Sequence, residues 1–214
     1  MYTLFVIILL SYFIGSFPTS VVWGRLTRRI DIRDYGSKNP GGTNAVRVLG
    51  WQAGIVVMCV DIAKGALAAA LVAKIRIDPI ALDHELVQII AGTSAVVGHI
   101  WTVLAKFKGG KGVATAAGML IAIYPWAALI CFFIFMMIAM TTRYISVGSV
   151  TAASVLPFVL IITERMSDNN LSNSLLFFVF LLSGLIVYTH RANLRRLMEG
   201  TETRLFLTRP PEKK

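Results

Sequence analysis

Residues 107–115 read FKGGKGVAT. Gly109, Gly110 and Gly112 let the main chain approach a ligand closely because no Cβ stands in the way, and Lys111 adds a mobile point charge. The VATAAG that follows opens an apolar helix, whose first-turn N–H groups attract anions. The chemistry this stretch suits is binding of a phosphate or carboxylate. A nucleotide P-loop, G-x-x-x-x-G-K-[ST], does not fit: Ala105 takes the first glycine position, and Gly112 follows the lysine where Ser or Thr is required. Read without a ligand, the segment is a glycine-rich connector with stop-transfer lysines.

Three other segments carry groups suited to oxyanions. GSKNPGGTNAVRVLG (36–50) brings Ser37, Thr43 and Asn44, which can bond the local main chain, and Arg47 at the start of the next apolar run. By itself it also reads as a polar loop. RYISVGS (143–149) brings Ser146, and HRANLRRLMEGTE (190–202) brings His190, Asn193 and a cluster of arginines. His190 and Asn193 are three positions apart, so a continuing helix puts both on one face. A histidine at a membrane boundary is also an ordinary interfacial residue. Glu202 is read as a structural partner for a nearby arginine. His84 and His99 are read as structural, and no histidine or cysteine spacing predicts a metal site. Cys59 and Cys131 lie in apolar runs and are expected to be buried structural thiols.

These segments must be positioned by membrane helices. The 214-residue chain is 56% hydrophobic. Residues 2–24, 86–105, 113–142, 144–163 and 169–189 contain no Asp, Glu, Lys or Arg, and each run is long enough to cross ~30 Å of hydrocarbon. A further span is expected at 51–73, where Asp61 and Lys64 share a helical face as an ion pair. The run 113–142 is longer than one span needs and holds Pro125 near its middle. One crossing there would put the basic tail, with Arg209, Lys213 and Lys214, outside. Two crossings hinged near Pro125 put every strongly basic segment in the cytoplasm. The expectation is an all-α integral membrane protein of seven transmembrane helices, N-terminus outside and C-terminus cytoplasmic, forming one polytopic domain over 1–214. The net charge of +10 is then topological, and no nucleic-acid-binding pattern accompanies it.

GSKNPGGTNAVRVLG, DIAKG at 61–65, GHIWTVLAKFKGGKGVAT, RYISVGS and HRANLRRLMEGTE, in this order and separated by apolar spans, resemble the bacterial membrane family of acyl-phosphate-dependent glycerol-3-phosphate acyltransferases. Thr102 stands where that family more usually has proline. The resemblance implies a seven-helix enzyme of the cell inner membrane. In its reaction the 1-hydroxyl of glycerol 3-phosphate attacks the carbonyl of a fatty acyl phosphate, giving lysophosphatidic acid and phosphate, with no cofactor. It also implies that Ser37, Arg47, Lys111, Ser146, His190 and Asn193 line the substrate site, with Glu202 holding that site together. Asn44 and the three glycines of the loop are grouped with the substrate-binding residues.

For that reaction the expected arrangement is Lys111 and the amides around Gly110 and Gly112 on one phosphate, and Arg47 and Ser37 on the other. Asn193 or Ser146 orients the reacting oxygens. The sequence leaves the general base open between His190 and a substrate phosphate, and leaves the oligomeric state open too. The rival reading is a transporter of an organic phosphate, in which a broken span beside a glycine loop holds the anion.

Overall fold

Prolines cut two of the apolar runs. The structure is a computed structural model describing residues 2–167 and 171–204. α1 spans Tyr2–Ser16, and α2 resumes at Thr19–Arg28 after Phe17 and Pro18. Proline supplies no N–H and its ring clashes with the preceding turn, so the helix expected over 2–24 has a break inside it. The second cut is at the expected hinge. Tyr124 leaves helical geometry (φ −130°, ψ 69°), and Pro125 takes the first position of a new helix.

Between these breaks lie α3 (Gly42–Leu49), α4 (Trp51–Ala70) with a 3-10 turn at Val72–Lys74, α5 (His84–Ile100) with a 3-10 turn at Val103–Ala105, and α6 (Val113–Ile123). After Pro125 come α7 (Pro125–Thr142), α8 (Ile145–Met166), α9 (Asn173–Thr189) and α10 (Arg191–Met198). No strand occurs among the described residues. The protein is an all-helical, multi-pass membrane protein. Large apolar side chains such as Phe133 and Phe177 are exposed on its helices, as lipid-facing positions require.

Among the described residues, five segments are long and apolar enough to cross a membrane: Tyr2–Arg28, Trp51–Lys74, His84–Ala105, Pro125–Thr142 and Ile145–Met166. A sixth is counted if α9 and α10, bent by 50° at their junction, form one span. α6 has 11 residues, which at 1.5 Å per residue is about 16 Å, roughly half the hydrocarbon thickness. That half-length helix separates this count from the expected seven. The tail residues Arg209, Lys213 and Lys214, and Asp168 and Asn169 at the edge of the last expected span, lie outside the described residues.

The chain divides between Ile123 and Tyr124 into two compact units. In the first, α1 packs along α5 and α4 along α6. The α4–α6 approach is close enough that a Cβ on Gly65 would fall 1.8 Å from the Thr115 carbonyl oxygen, and one on Gly118 would fall 1.8 Å from that of Ile62. Close backbone packing of this kind substitutes in lipid for the hydrophobic driving force between helices. Val21, Ile32, Ala45, Val48, Ala53 and Val57 form a core joining α2, α3 and α4. In the second unit α8 packs against both α7 and α9, and α10 touches α8 and α9. Cys131 is buried there, but Cys59 is exposed, contrary to expectation. Its position on α4 faces away from the helices that pack against that element.

Candidate functional site

In the first unit, the segment before α3 is folded by its own polar side chains. Asp31 accepts from Arg33 Nε at 2.9 Å, Arg33 Nη2 at 2.6 Å and Arg25 Nη2 at 2.9 Å. The Arg33 guanidinium beside it holds the Asp31 carboxyl well below the usual carboxylate range. Arg33 Nη1 also donates to the Ala105 carbonyl at 2.8 Å, linking this segment to the one carrying the glycine loop.

Asn44 is the staple of the first segment. It is 1% exposed; its Oδ1 accepts the Ser37 N–H at 2.9 Å, and its Nδ2 donates to the carbonyls of Ile32 and Tyr35 at 3.2 and 3.1 Å. Its amide thus builds the turn that carries Ser37. Arg47, half-buried, is one helical turn further along α3 and shares its side of the helix.

The glycine loop doubles back on the end of α5. Lys106 and Phe107 both take left-handed geometry, φ 57° each, and Phe107 N–H closes on the Thr102 carbonyl at 2.8 Å. Gly109 N–H then donates to Ile100 O at 3.0 Å and Gly110 N–H to His99 O at 3.1 Å. The last carbonyls of a helix lack intrahelical donors, and these two amides cap them. They were expected to face a ligand; instead they hold the loop. Lys111, half-buried, and Gly112 (φ 82°) lead into the first turn of α6, where main-chain N–H groups have no intrahelical acceptor.

Behind the loop lies a buried polar cluster. Lys64 Nζ is 2.6 Å from Asp61 Oδ1 and donates to the Phe17 carbonyl at 2.5 Å. Thr19 Oγ1 donates to the same Asp61 oxygen at 3.0 Å, and the Thr102 hydroxyl donates to the Ser16 carbonyl. The i, i+3 pair expected on α4 therefore forms, and its lysine also bonds the main-chain oxygen of Phe17 beside the Pro18 break. His99, 8% exposed, sits against this cluster with Nδ1 3.7 Å from Asp61 Oδ1. The Asp31–Arg33 brace and the contact of His99 with the loop were not legible from spacing. Their only trace in the sequence was that His99 stands shortly before the glycines.

The second unit gathers Ser146, Asn193 and Glu202. Ser146 Oγ and Asn193 Nδ2 donate to Glu202 Oε1 at 2.8 and 2.7 Å, and Arg196 Nε donates to Oε2 at 2.8 Å. Burial pushes the Glu202 carboxyl up, but the bonds from Asn193, Ser146 and Arg196 together outweigh it and hold the group below its ordinary value. The arginine partner expected for Glu202 is Arg196.

His190, 2% exposed, caps α9 at the bend, so the helix does not run on straight to Asn193 as expected. The two remain joined, because Asn193 N–H donates to the His190 carbonyl at 2.8 Å. His190 Nδ1 is 2.8 Å from the Ile186 carbonyl. A carbonyl only accepts, so the proton of the neutral ring is on Nδ1, and Nε2 is the nitrogen able to take another. Among the described residues no three His, Cys, Asp or Glu side chains gather as metal ligands would.

Residues 5–200 match the family model described as glycerol-3-phosphate acyltransferase. The chain belongs to the glycerol-3-phosphate acyltransferase family. Members from Chlorobaculum parvum and Chlorobium phaeobacteroides are each 45% identical to it, over 98% and 96% of this chain and 99% and 97% of theirs. Among solved structures it resembles the crystal structure of PlsY (YgiH), an integral membrane glycerol 3-phosphate acyltransferase, in its glycerol 3-phosphate form. The TM-score is 0.83 at 34% identity, with 96% of each chain covered. The lysophosphatidic acid form of PlsY matches with a TM-score of 0.80 at 33% identity, with 95% of each chain covered. Within this acyltransferase family the match to residues 5–200 thus reaches into both units.

Proposed function

We propose that this chain transfers a fatty acyl group from acyl phosphate to the 1-hydroxyl of glycerol 3-phosphate, releasing lysophosphatidic acid and phosphate. One observation carries the reading. PlsY, which this chain resembles over nearly its full length, is described in a glycerol 3-phosphate form and a lysophosphatidic acid form, the acceptor and the acylated product of a single reaction.

The hydroxyl oxygen of glycerol 3-phosphate attacks the acyl carbonyl carbon, giving a tetrahedral oxyanion. The bond from that carbon to the phosphate oxygen then breaks, and inorganic phosphate leaves with the electron pair. An acyl phosphate is already activated, so no covalent enzyme intermediate is required. Both substrates and the intermediate are anionic, which calls for fixed donors at several points. Lys111 and the first turn of α6 hold one phosphate. Arg47 and Ser37, presented by Asn44, hold the other, while Ser146 and Asn193, oriented by Glu202, direct the reacting oxygens. The hydroxyl proton goes to His190 Nε2, or to a phosphate oxygen of the substrates.

The two units act as one catalytic domain in a bacterial inner membrane, with seven crossings, the N-terminus outside and the C-terminus in the cytoplasm. The half-length α6 and the break at Pro125 support counting the run 113–142 as two crossings. This arrangement keeps the strongly basic segments on the side that the positive-inside rule requires.

The test is an assay of purified protein in detergent, with glycerol 3-phosphate and either acyl phosphate or acyl-CoA as donor. Lysophosphatidic acid formed from acyl phosphate is expected. A protein that makes no product in detergent but moves organic phosphate across vesicles would be a transporter instead.

A further inference from the structure

We propose that His99 is a positioning residue for this reaction: its imidazole, backed by the buried Asp61–Lys64 pair, is the wall that sets the glycine loop and so places Lys111. The inference rests on the acyltransferase reading above. The direct mechanism leaves these buried polar groups unused, although an ion pair inside a membrane span is costly to keep.

The contacts run in one continuous series. Lys64 is fixed by the Phe17 carbonyl and by Asp61, and Asp61 is fixed in turn by Thr19 Oγ1. The edge of the His99 ring that carries Nδ1 faces Asp61 at 3.7 Å. The opposite edge lies against the loop: a Cβ built on Gly110 would fall 2.3 Å from His99 Nε2, nearer than any real Cβ contact. His99 also holds the loop through its main chain, by accepting Gly110 N–H at 3.1 Å. Asp61, His99, Lys108, Gly109 and Gly110 line one narrow crevice with Thr19. The ring therefore sets how closely the loop approaches α5, and Lys111 is the next residue along.

Gly109 supplies the control. A Cβ there would meet the main-chain oxygen of His99 at 2.0 Å, an atom no substitution at 99 removes. The ring accounts for the glycine requirement at 110, and the backbone accounts for it at 109.

The experiment compares wild type, His99→Ala, His99→Gln, Gly110→Ala, Gly109→Ala, and each alanine at 109 or 110 combined with His99→Ala, as purified full-length protein. Gly110→Ala is expected to lower kcat/KM by about tenfold or more, mainly through KM, and His99→Ala by a smaller factor. The Gly110→Ala/His99→Ala protein should recover at least about threefold over Gly110→Ala, while Gly109→Ala gains nothing from the same change. His99→Gln should fall nearer to wild type than His99→Ala. A double variant no better than Gly110→Ala, or equal rescue at 109, overturns the proposal. Melting temperatures of the same set give a second readout, in which positions 99 and 110 couple and 99 and 109 do not. If wild type forms no lysophosphatidic acid, the acyltransferase reading fails and the melting series still decides the contact.

Discussion

The Arg33 guanidinium donates to the Ala105 carbonyl at 2.8 Å while gripping Asp31 through Nε and Nη2. One side chain thereby ties the segment of Ser37 and Arg47 to the segment of Lys111. Arg33→Ala should raise KM for at least one substrate several-fold and leave kcat less affected, since Arg33 places binding groups without belonging to them. Arg33→Lys, which cannot reproduce the forked geometry, should restore only part of the loss. Steady-state kinetics with each substrate varied in turn checks this.

Glu202 anchors Ser146, Asn193 and Arg196 together. Glu202→Gln removes a charged acceptor of three bonds, and a single hydrogen bond to a charged group contributes roughly 1.5–3 kcal/mol. The variant should therefore lose about one to two decades in kcat/KM. Its stability profile should change as well. A carboxyl with a lowered folded-state pKa stabilises the fold fully above the unfolded value, near ~4.3, and loses that contribution as pH falls through the folded value. Melting temperature measured from about pH 7 down to about pH 3 should fall less steeply in Glu202→Gln than in wild type.

Lys111→Ala should cost roughly 1.5–3 kcal/mol of transition-state binding, about one to two decades in kcat/KM, if the ammonium holds a substrate phosphate. Unchanged kinetics in correctly inserted protein would remove Lys111 from the site.

The tautomer imposed by Ile186 makes His190 Nε2 the ring's proton acceptor. With His190 as base, the acidic limb of the pH–rate profile disappears in His190→Ala. If the residual activity keeps that limb, the proton goes to a substrate phosphate.

Features governed by local rules were legible in the sequence. Charge-free runs marked most of the spans, Pro125 marked the second helix break, and the i, i+3 spacing of Asp61 and Lys64 marked their pairing. Features decided by distant partners were not. Gly109 and Gly110 looked like ligand-facing donors because nothing in their spacing tells that the loop returns to the carbonyls of His99 and Ile100. The partners of Asn44 in residues 32–37 could not be read from its spacing. Cys59 was expected to be buried because hydrophobic runs in a membrane look alike on the lipid and protein sides. The α3 helix was missed because glycine and asparagine dominate its first turn.

The hydroxyl that donates to the main-chain oxygen of Ser16 comes from Thr102, far downstream, while the Phe17 oxygen takes the nearby Thr19 N–H at 3.0 Å as well as Lys64. During synthesis the leading segment must enter the translocon before the Thr102 hydroxyl exists to meet the Ser16 oxygen, a poor state for a chain surrounded by lipid. It waits shallow, or wet, until its later neighbours dock. A cysteine at Ser16 in a ribosome-arrested chain ending before residue 64 should react with a water-soluble maleimide, and the same cysteine in the released protein should not. The start of this polypeptide is finished only after its middle has been made.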